Sequence, residues 1–385
     1  MYATYLRSAC AASPPCKMIL PNGRWHALDA IRPNADRSQI ALCSVGDQPH
    51  HADRLRSAGL LEEYVGMNGS TSKGQDAPHV RHWNAASKKV SLLVTDLDNT
   101  LFDWLEIWYE SFSAMLNKVA EISGIPVSDL EKEFYEVHQR RGTSEYAFAL
   151  QELRSSAGLS RHQVKAKYEA AIGAYRAARD RTLHLYPRVA ETLAAIRATG
   201  ATIVGYTESM RFYTSYRMRA LGLDKLLDYL YSPEDAELPI GLAIEDLERY
   251  PQDKYRPRHT ELRHTPRGEK KPNPQLLLDI VRDTGGTPET TLYIGDSLMK
   301  DIAMAQDAGI TDVWAKYGVP HDRAEYALLK RVTHWPPEDV AKEESIKQRE
   351  REQNGSRIVP TYVLNHGFYE LLTLFSYAAP FPRVP

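Results

Sequence analysis

Beyond residue 43 the chain has no cysteine: its three, Cys10, Cys16 and Cys43, all fall in the first 43 residues. A disulfide framework or a thiolate zinc site in the main body is thereby excluded. No apolar run approaches the roughly 20 residues that a membrane helix needs. The first twenty residues lack the continuous apolar core of a secretory signal. Charge of one sign is missing too, since a formal net charge of -2 creates no field favouring nucleic acid or an anionic membrane. Neither partner is expected, and the setting reads as cytoplasmic. The histidines at 50, 51, 259, 264 and 321 show no metal-ligand spacing. No internal repeat is visible.

What remains is a chain of 385 residues, 43% hydrophobic, long enough for a large core, two domains and tails. Residues 1–88 lack sustained periodicity and carry SPP, PNG, GDQPHH and NGSTSKGQ, which read as turns and coil; only 52–65 looks helical. This extension is expected to be poorly ordered and dispensable, with Met67 a candidate alternative start. The character changes at residue 90. VSLLVT (90–95) is a short apolar run that ends on acidic residues, and ATIVGYT (201–207) and TLYIGDS (291–297) repeat the design. TDVWA (311–315) and TYVL (361–364) read as further strands. Between them lie helical patterns, such as 187–199, opened by Pro187 and stopped by Gly200, and 296–309, stopped by Gly309. Alternating strands and helices predict a mostly parallel, doubly wound α/β sheet.

Residues 104–185 break that alternation with helix after helix, Trp104, Leu105, Trp108, Phe112, Leu116 and Val119 lying along one face. A helical block inserted directly after the first strand reads as a cap over the sheet. The core is then 89–103 plus 186–385, interrupted by insertions at 232–270 and 318–357, the second containing a charged helix over 340–353.

In a doubly wound sheet, ligands bind beyond the carboxyl ends of the strands. Three apolar runs deliver Asp96 and Asp98, then Thr207, then Asp296 and Ser297 to that edge. Carboxylates so gathered repel one another, and a bound cation relieves the repulsion. Few, all-oxygen ligands suit Mg2+, which keeps several waters and takes one or two carboxylates plus substrate phosphate. Lys271 could add a positive charge opposite the metal. Such parts serve phosphoryl transfer, where positioning and charge stabilisation dominate. A carboxylate nucleophile divides hydrolysis into two easier steps, and a second acid two residues on can protonate the leaving oxygen and then activate water.

Asp96-Leu97-Asp98-Asn99-Thr100, Thr207, Lys271-Pro272-Asn273-Pro274 and Gly295-Asp296-Ser297 with Asp301, in that order, resemble the four motifs of the haloacid dehalogenase superfamily. The likeness spans roughly residues 90–375. It implies a Rossmann-like core, Asp96 as nucleophile, Asp98 as general acid/base, and Thr207 and Lys271 on the phosphate. Magnesium would be held by Asp96, the Asp98 main-chain carbonyl and Asp296, with Asp301 in or next to the metal shell. The cap resembles that of the phosphoglycolate-phosphatase-like branch. Two departures stand out: Glu208 follows Thr207, and about 40 residues separate Leu230 from Lys271. Lys270 could substitute for Lys271, which is preferred because it directly precedes the proline.

Other residues divide between local and chemical roles. Asp103 reads as an N-cap, Ser297 as a cap or a site residue, and Asp301 as a site acid one turn beyond Asp296. His138, Arg140, Arg141 and Tyr146 in the cap could read substrate or simply be surface residues. The expected activity is hydrolysis of a small phosphorylated metabolite. A phosphosugar mutase on the same motifs is the alternative, and a non-catalytic binding protein is disfavoured by the full acidic set. The second carboxylate, Asp98, argues against a carbon–halogen hydrolase. Oligomeric state is not legible.

Overall fold

The computed structural model describes residues 88–235, 238, 244–247, 250–320, 323–336, 338, 341 and 358–380, together with two short strands, Lys17–Ile19 and Trp25–Ala27. The chain divides into two units, Met1–Arg81 and His82–Pro385. In the first, the two short strands pair antiparallel. The helix expected at 52–65, the three cysteines, Met67 and nearly all of 340–353 lie outside the described residues.

The second unit is built on seven strands: β1 (Leu92–Thr95), β2 (Thr202–Tyr206), β3 (Tyr229–Ser232), β4 (Glu261–His264), β5 (Thr291–Gly295), β6 (Thr311–Ala315) and β7 (Tyr362–Leu364). Their order is β7-β6-β5-β1-β2-β3-β4, and every pairing is parallel. Helices are α1 (Trp104–Ser123), α2 (Val127–Arg141), α3 (Ala149–Glu152), α4 (Arg161–Lys167), α5 (Glu169–Thr182), α6 (Val189–Ala198), α7 (Arg211–Ala220), α8 (Pro274–Asp283), α9 (Ala303–Asp307), α10 (Tyr326–Val332) and α11 (Leu371–Leu374).

Successive strand residues point to opposite faces. Leu93, Ile203, Leu292 and Ile294 accordingly pack with Val189, Leu193 and Ile196 of α6 and with Phe368 and Leu371. Leu92, Val94, Val204, Tyr206 and Tyr293 pack on the other face with Leu277 and Ile280 of α8 and with Met304 and Ala305 of α9. The sheet is covered on both sides, which is why its strands read as near-continuous apolar runs. Two strands escape that signal. YLYS of β3 is short, and ELRH of β4 is a half-exposed edge with no apolar alternation. The insertion expected over 232–270 therefore returns to the sheet before it ends.

The helical cap leaves and rejoins the core at one place. Phe102 bridges Leu185, and the Tyr186 amide donates to the Leu101 carbonyl at 2.9 Å. Within the cap, Leu105, Trp108, Phe112, Leu116 and Val119 form the buried stripe of α1, while Trp104 at its start is only partly buried. Segment Tyr326–Trp335, expected as part of a core insertion, joins this cap cluster: Leu329 and Val332 are buried with Phe134 and Val137 of α2. Polar contacts fix the same seam. His138 Nδ1 donates to the Val332 carbonyl at 2.6 Å, Gln139 Nε2 donates to the Thr333 and Trp335 carbonyls, and Arg331 pairs with Glu131. Among the described residues, no helix is long and apolar enough to cross a membrane.

Candidate active site

The strand register assembles the site. Thr95 lies opposite Gly205 on one side and Ile294 on the other, so Asp96, Thr207 and Asp296 emerge together at one edge. This is where strand order reverses between β5 and β1, the crevice at which open α/β sheets place ligands. After Asp96 the chain must turn sharply. Asn99 adopts a left-handed conformation (φ 56), and its Oδ1 accepts the Leu105 amide at 3.1 Å. Asparagine tolerates that geometry because its side chain bonds locally. Gly318 is needed beside the turn, since a Cβ there would stand 1.7 Å from the Asn99 carbonyl oxygen.

Lys271 is the hub. Its Nζ lies 2.5 Å from Asp96 Oδ1 and 3.0 Å from Asp301 Oδ1, and its side chain is 3% exposed. Lys271 makes that contact, while Lys270 lines the cleft as an exposed side chain. Asp301 takes two further donors: Oδ1 also accepts Tyr293 OH at 2.7 Å, and Oδ2 accepts the Ser297 amide at 3.0 Å. Gly295 makes room for it, because a Cβ there would fall 2.3 Å from Asp301 Cγ. Asp96, Asp296 and Asp301 each offer an oxygen within 4.8 Å of the others. Asp98 points toward β2, its Oδ2 accepting Thr207 Oγ1 at 3.2 Å and Ser209 Oγ at 2.6 Å.

The electrostatics follow from burial. Desolvation pushes the Asp96 carboxyl up to about 7, with Asp301 and Asp98 adding to the rise and Lys271 opposing it. Burial, then Asp301 and Asp96, push Asp296 well above the carboxylate range. Burial pulls the Lys271 pKa down, but the Asp301 and Asp96 carboxylates outweigh it and hold that lysine well above its ordinary value. Asp96 and Asp301 thus share one buried ammonium, and Asp296 stands beside them without a contact to it. The nearby Lys300 is engaged with Glu208 at 2.6 Å.

Several residues acquire roles from position. Glu208, the departure in the second motif, also accepts the Lys271 amide at 3.0 Å, so it anchors the lysine loop to the end of β2. Ser297 Oγ accepts the Lys300 amide at 3.2 Å, and Asp103 Oδ1 accepts the Glu106 amide at 2.8 Å; both act as helix caps. His138 is fully enclosed at the cap seam, and Tyr146 OH and Arg141 both bond Glu152 within the cap. Tyr293, Ser209 and Arg217 were not signalled by sequence. Tyr293 sits on a strand as an ordinary buried aromatic, and the other two reach the site only through the fold. Above these groups opens a cleft of about 1100 Å³, walled by the cap on one side and bordered by Lys300, His334 and Trp335.

A family model of haloacid dehalogenase-like hydrolases matches residues 90–309. A phosphoglycolate phosphatase of Salmonella paratyphi A is 26% identical over 140 residues, covering 36% of this chain and 43% of that protein. A glyceraldehyde 3-phosphate phosphatase of Methanopyrus kandleri is 40% identical over 55 residues, 14% of this chain and 24% of that one. The chain thus spans less than half the length of these curated relatives. A solved 2-haloacid dehalogenase from Pseudomonas syringae pv. Tomato DC3000 overlays with a TM-score of 0.43 at 19% identity, covering 74% of this chain and 97% of that one. The family match takes in more than half the chain and every strand-end motif from Asp96 to Asp301, and the protein belongs to the haloacid dehalogenase-like hydrolases.

Proposed function

We propose that the protein is a magnesium-dependent phosphatase that hydrolyses a small phosphorylated metabolite through an aspartyl-phosphate on Asp96. The observation that supports this most directly is the acidic cluster itself: Asp96, Asp296 and Asp301 close together beside Lys271 at the floor of a cleft. One ammonium among three carboxylates, Asp96 and Asp301 buried and Asp296 partly so, leaves a deficit of positive charge, and an all-oxygen donor set suits a hard divalent cation. Asp96, Asp296 and the Asp98 main-chain carbonyl would hold it, with Asp301, already engaged by Lys271, Tyr293 and the Ser297 amide, beside the shell. Bound there, Mg2+ supplies charge neutralisation for the phosphoryl oxygens.

The chain's own residues do the rest. An Asp96 carboxylate oxygen attacks phosphorus and the bond to the leaving oxygen breaks. Asp98 gives that oxygen its proton. Water then attacks phosphorus, Asp98 takes the water's proton, and the Asp96 carboxylate is released with inorganic phosphate. Lys271 and Thr207 hold the equatorial oxygens. Phosphoglycolate and glyceraldehyde 3-phosphate, the substrates named by the relatives, head the panel of esters to test, and a cytoplasmic setting suits such metabolites.

Two variants test the covalent route. Asp96→Asn removes the nucleophile and should abolish turnover. Asp98→Asn leaves the nucleophile but removes a proton-transfer group typically contributing about 10²–10⁴-fold. With p-nitrophenyl phosphate, whose leaving group needs little protonation, the Asp98→Asn protein should accumulate a phosphate adduct on Asp96, visible by mass spectrometry after a quench. An Asp96→Asn protein that keeps more than roughly a few per cent of the wild-type rate would refute the covalent mechanism in favour of direct water attack.

A further inference from the structure

Arg217 is a buried guanidinium that none of the steps above uses. It lies on α7 with its side chain 7% exposed, beneath the rings of Phe102 and Tyr213. Two carboxylates share it. Its Nη2 is in close contact with Glu145, from the cap loop after α2, and its Nη1 stands 3.5 Å from Asp98 Oδ1, beyond hydrogen-bond length, and 3.4 Å from Ser209 Oγ. Asp98 Oδ1 is enclosed and accepts no hydrogen bond, whereas Oδ2 has two hydroxyl donors. The guanidinium is therefore seated firmly on the cap and loosely on the acid.

The division has a physical consequence. A buried arginine deprived of one partner turns its donors to the remaining one, because an uncompensated buried charge is costly. Without Glu145, Arg217 would close on the enclosed Asp98 Oδ1 and lock the carboxylate, whose exposed part must turn to exchange a proton. Without Arg217, Oδ1 would lose the charge that orients it. We infer that Arg217 is a positioning residue for Asp98, and that Glu145, carried by the cap, sets how tightly Arg217 holds it. A cap in place leaves the acid free to act, and a cap withdrawn lets the arginine clamp it. This rests on Asp98 being the proton-transfer group.

The test is a series of aryl phosphates of graded phenol acidity, assayed with the full chain in Mg2+. For Glu145→Gln, an isosteric change, kcat/KM for p-nitrophenyl phosphate should stay within about threefold of wild type, while phenyl phosphate, which needs its leaving oxygen protonated, should fall roughly tenfold or more. Arg217→Met should shift the series in the same sense, and Arg217→Lys should recover part of the loss. A cap tie with no bearing on the acid would instead slow all esters alike or change KM only, and either result overturns the inference. If Arg217→Met does not fold, Glu145→Gln decides alone. Asp98→Asn separates the two levels. If it leaves the leaving-group dependence unchanged, the reading of Asp98 fails and takes this inference with it. If it steepens the dependence while Glu145→Gln does not, only the role of Arg217 and Glu145 fails.

Discussion

Acidification should loosen the seam between α2 and segment 326–335, and His138 is the group through which this can be measured. Its Nδ1–H donates to the Val332 carbonyl at 2.6 Å, and its ring lies 5.9 Å from both Phe112 and Phe134. Burial lowers its pKa to about 4 from the ordinary 6.5, against a smaller upward pull from the Val332 hydrogen bond. Between those two values the unfolded chain holds the proton and the folded one does not. Stability is therefore fully present above pH 6.5 and is lost as pH falls through about 4. A gap of some 2.5 units at about 1.4 kcal/mol each corresponds to roughly 3 kcal/mol, a large share of a typical domain's 5–15. Thermal or urea unfolding of wild type and His138→Gln from pH 7 to 4 is the assay. Glutamine keeps a donor for Val332 but does not titrate, so other acid-sensitive groups largely cancel in the comparison. The variant should be less stable at pH 7 yet lose about 3 kcal/mol less on descent. Parallel pH profiles for the two proteins would refute the reasoning.

Three further outcomes are expected. Lys271→Met strands the Asp96 and Asp301 carboxylates, so it should cost roughly 3–5 kcal/mol of stability in metal-free buffer, read by urea unfolding, and abolish measurable turnover. Gly295→Ala puts a methyl 2.3 Å from Asp301 Cγ; displacement of that carboxylate should lower stability by about 1–3 kcal/mol and reduce kcat, whereas wild-type melting and rate would show that Asp301 need not sit there. EDTA should suppress turnover, Mg2+ should restore it, and Ca2+ should not, because calcium takes more oxygens at longer distances; full activity in excess chelator would count against the cation site.

The sheet's central strands were legible because parallel strands buried on both faces read as near-continuous apolar runs, as LLVT, TIVGY and TLYIG do. The catalytic edge was legible for a related reason. Asp96, Thr207 and Asp296 each follow directly on such a run, and Asp98 comes two residues later, so chain order alone marks the end of the sheet on which they emerge. Strand β4 left no signature, since an exposed edge neither buries a face nor alternates. What lay beyond local pattern was settled by contacts between distant segments. Lys271 meets Asp96 across 175 residues only after β4 has returned the intervening loop to the sheet and Glu208 has caught its backbone. Tyr326–Trp335 joins the cap core because α2 offers Phe134 and Val137 and side-chain donors at His138 and Gln139, a fit invisible in either segment by itself. Arg217 and Glu145, 72 residues apart, look like solvated helix and loop charges in the sequence. Periodicity reports which face of an element is apolar, but the partner of a buried charge is chosen by packing in three dimensions.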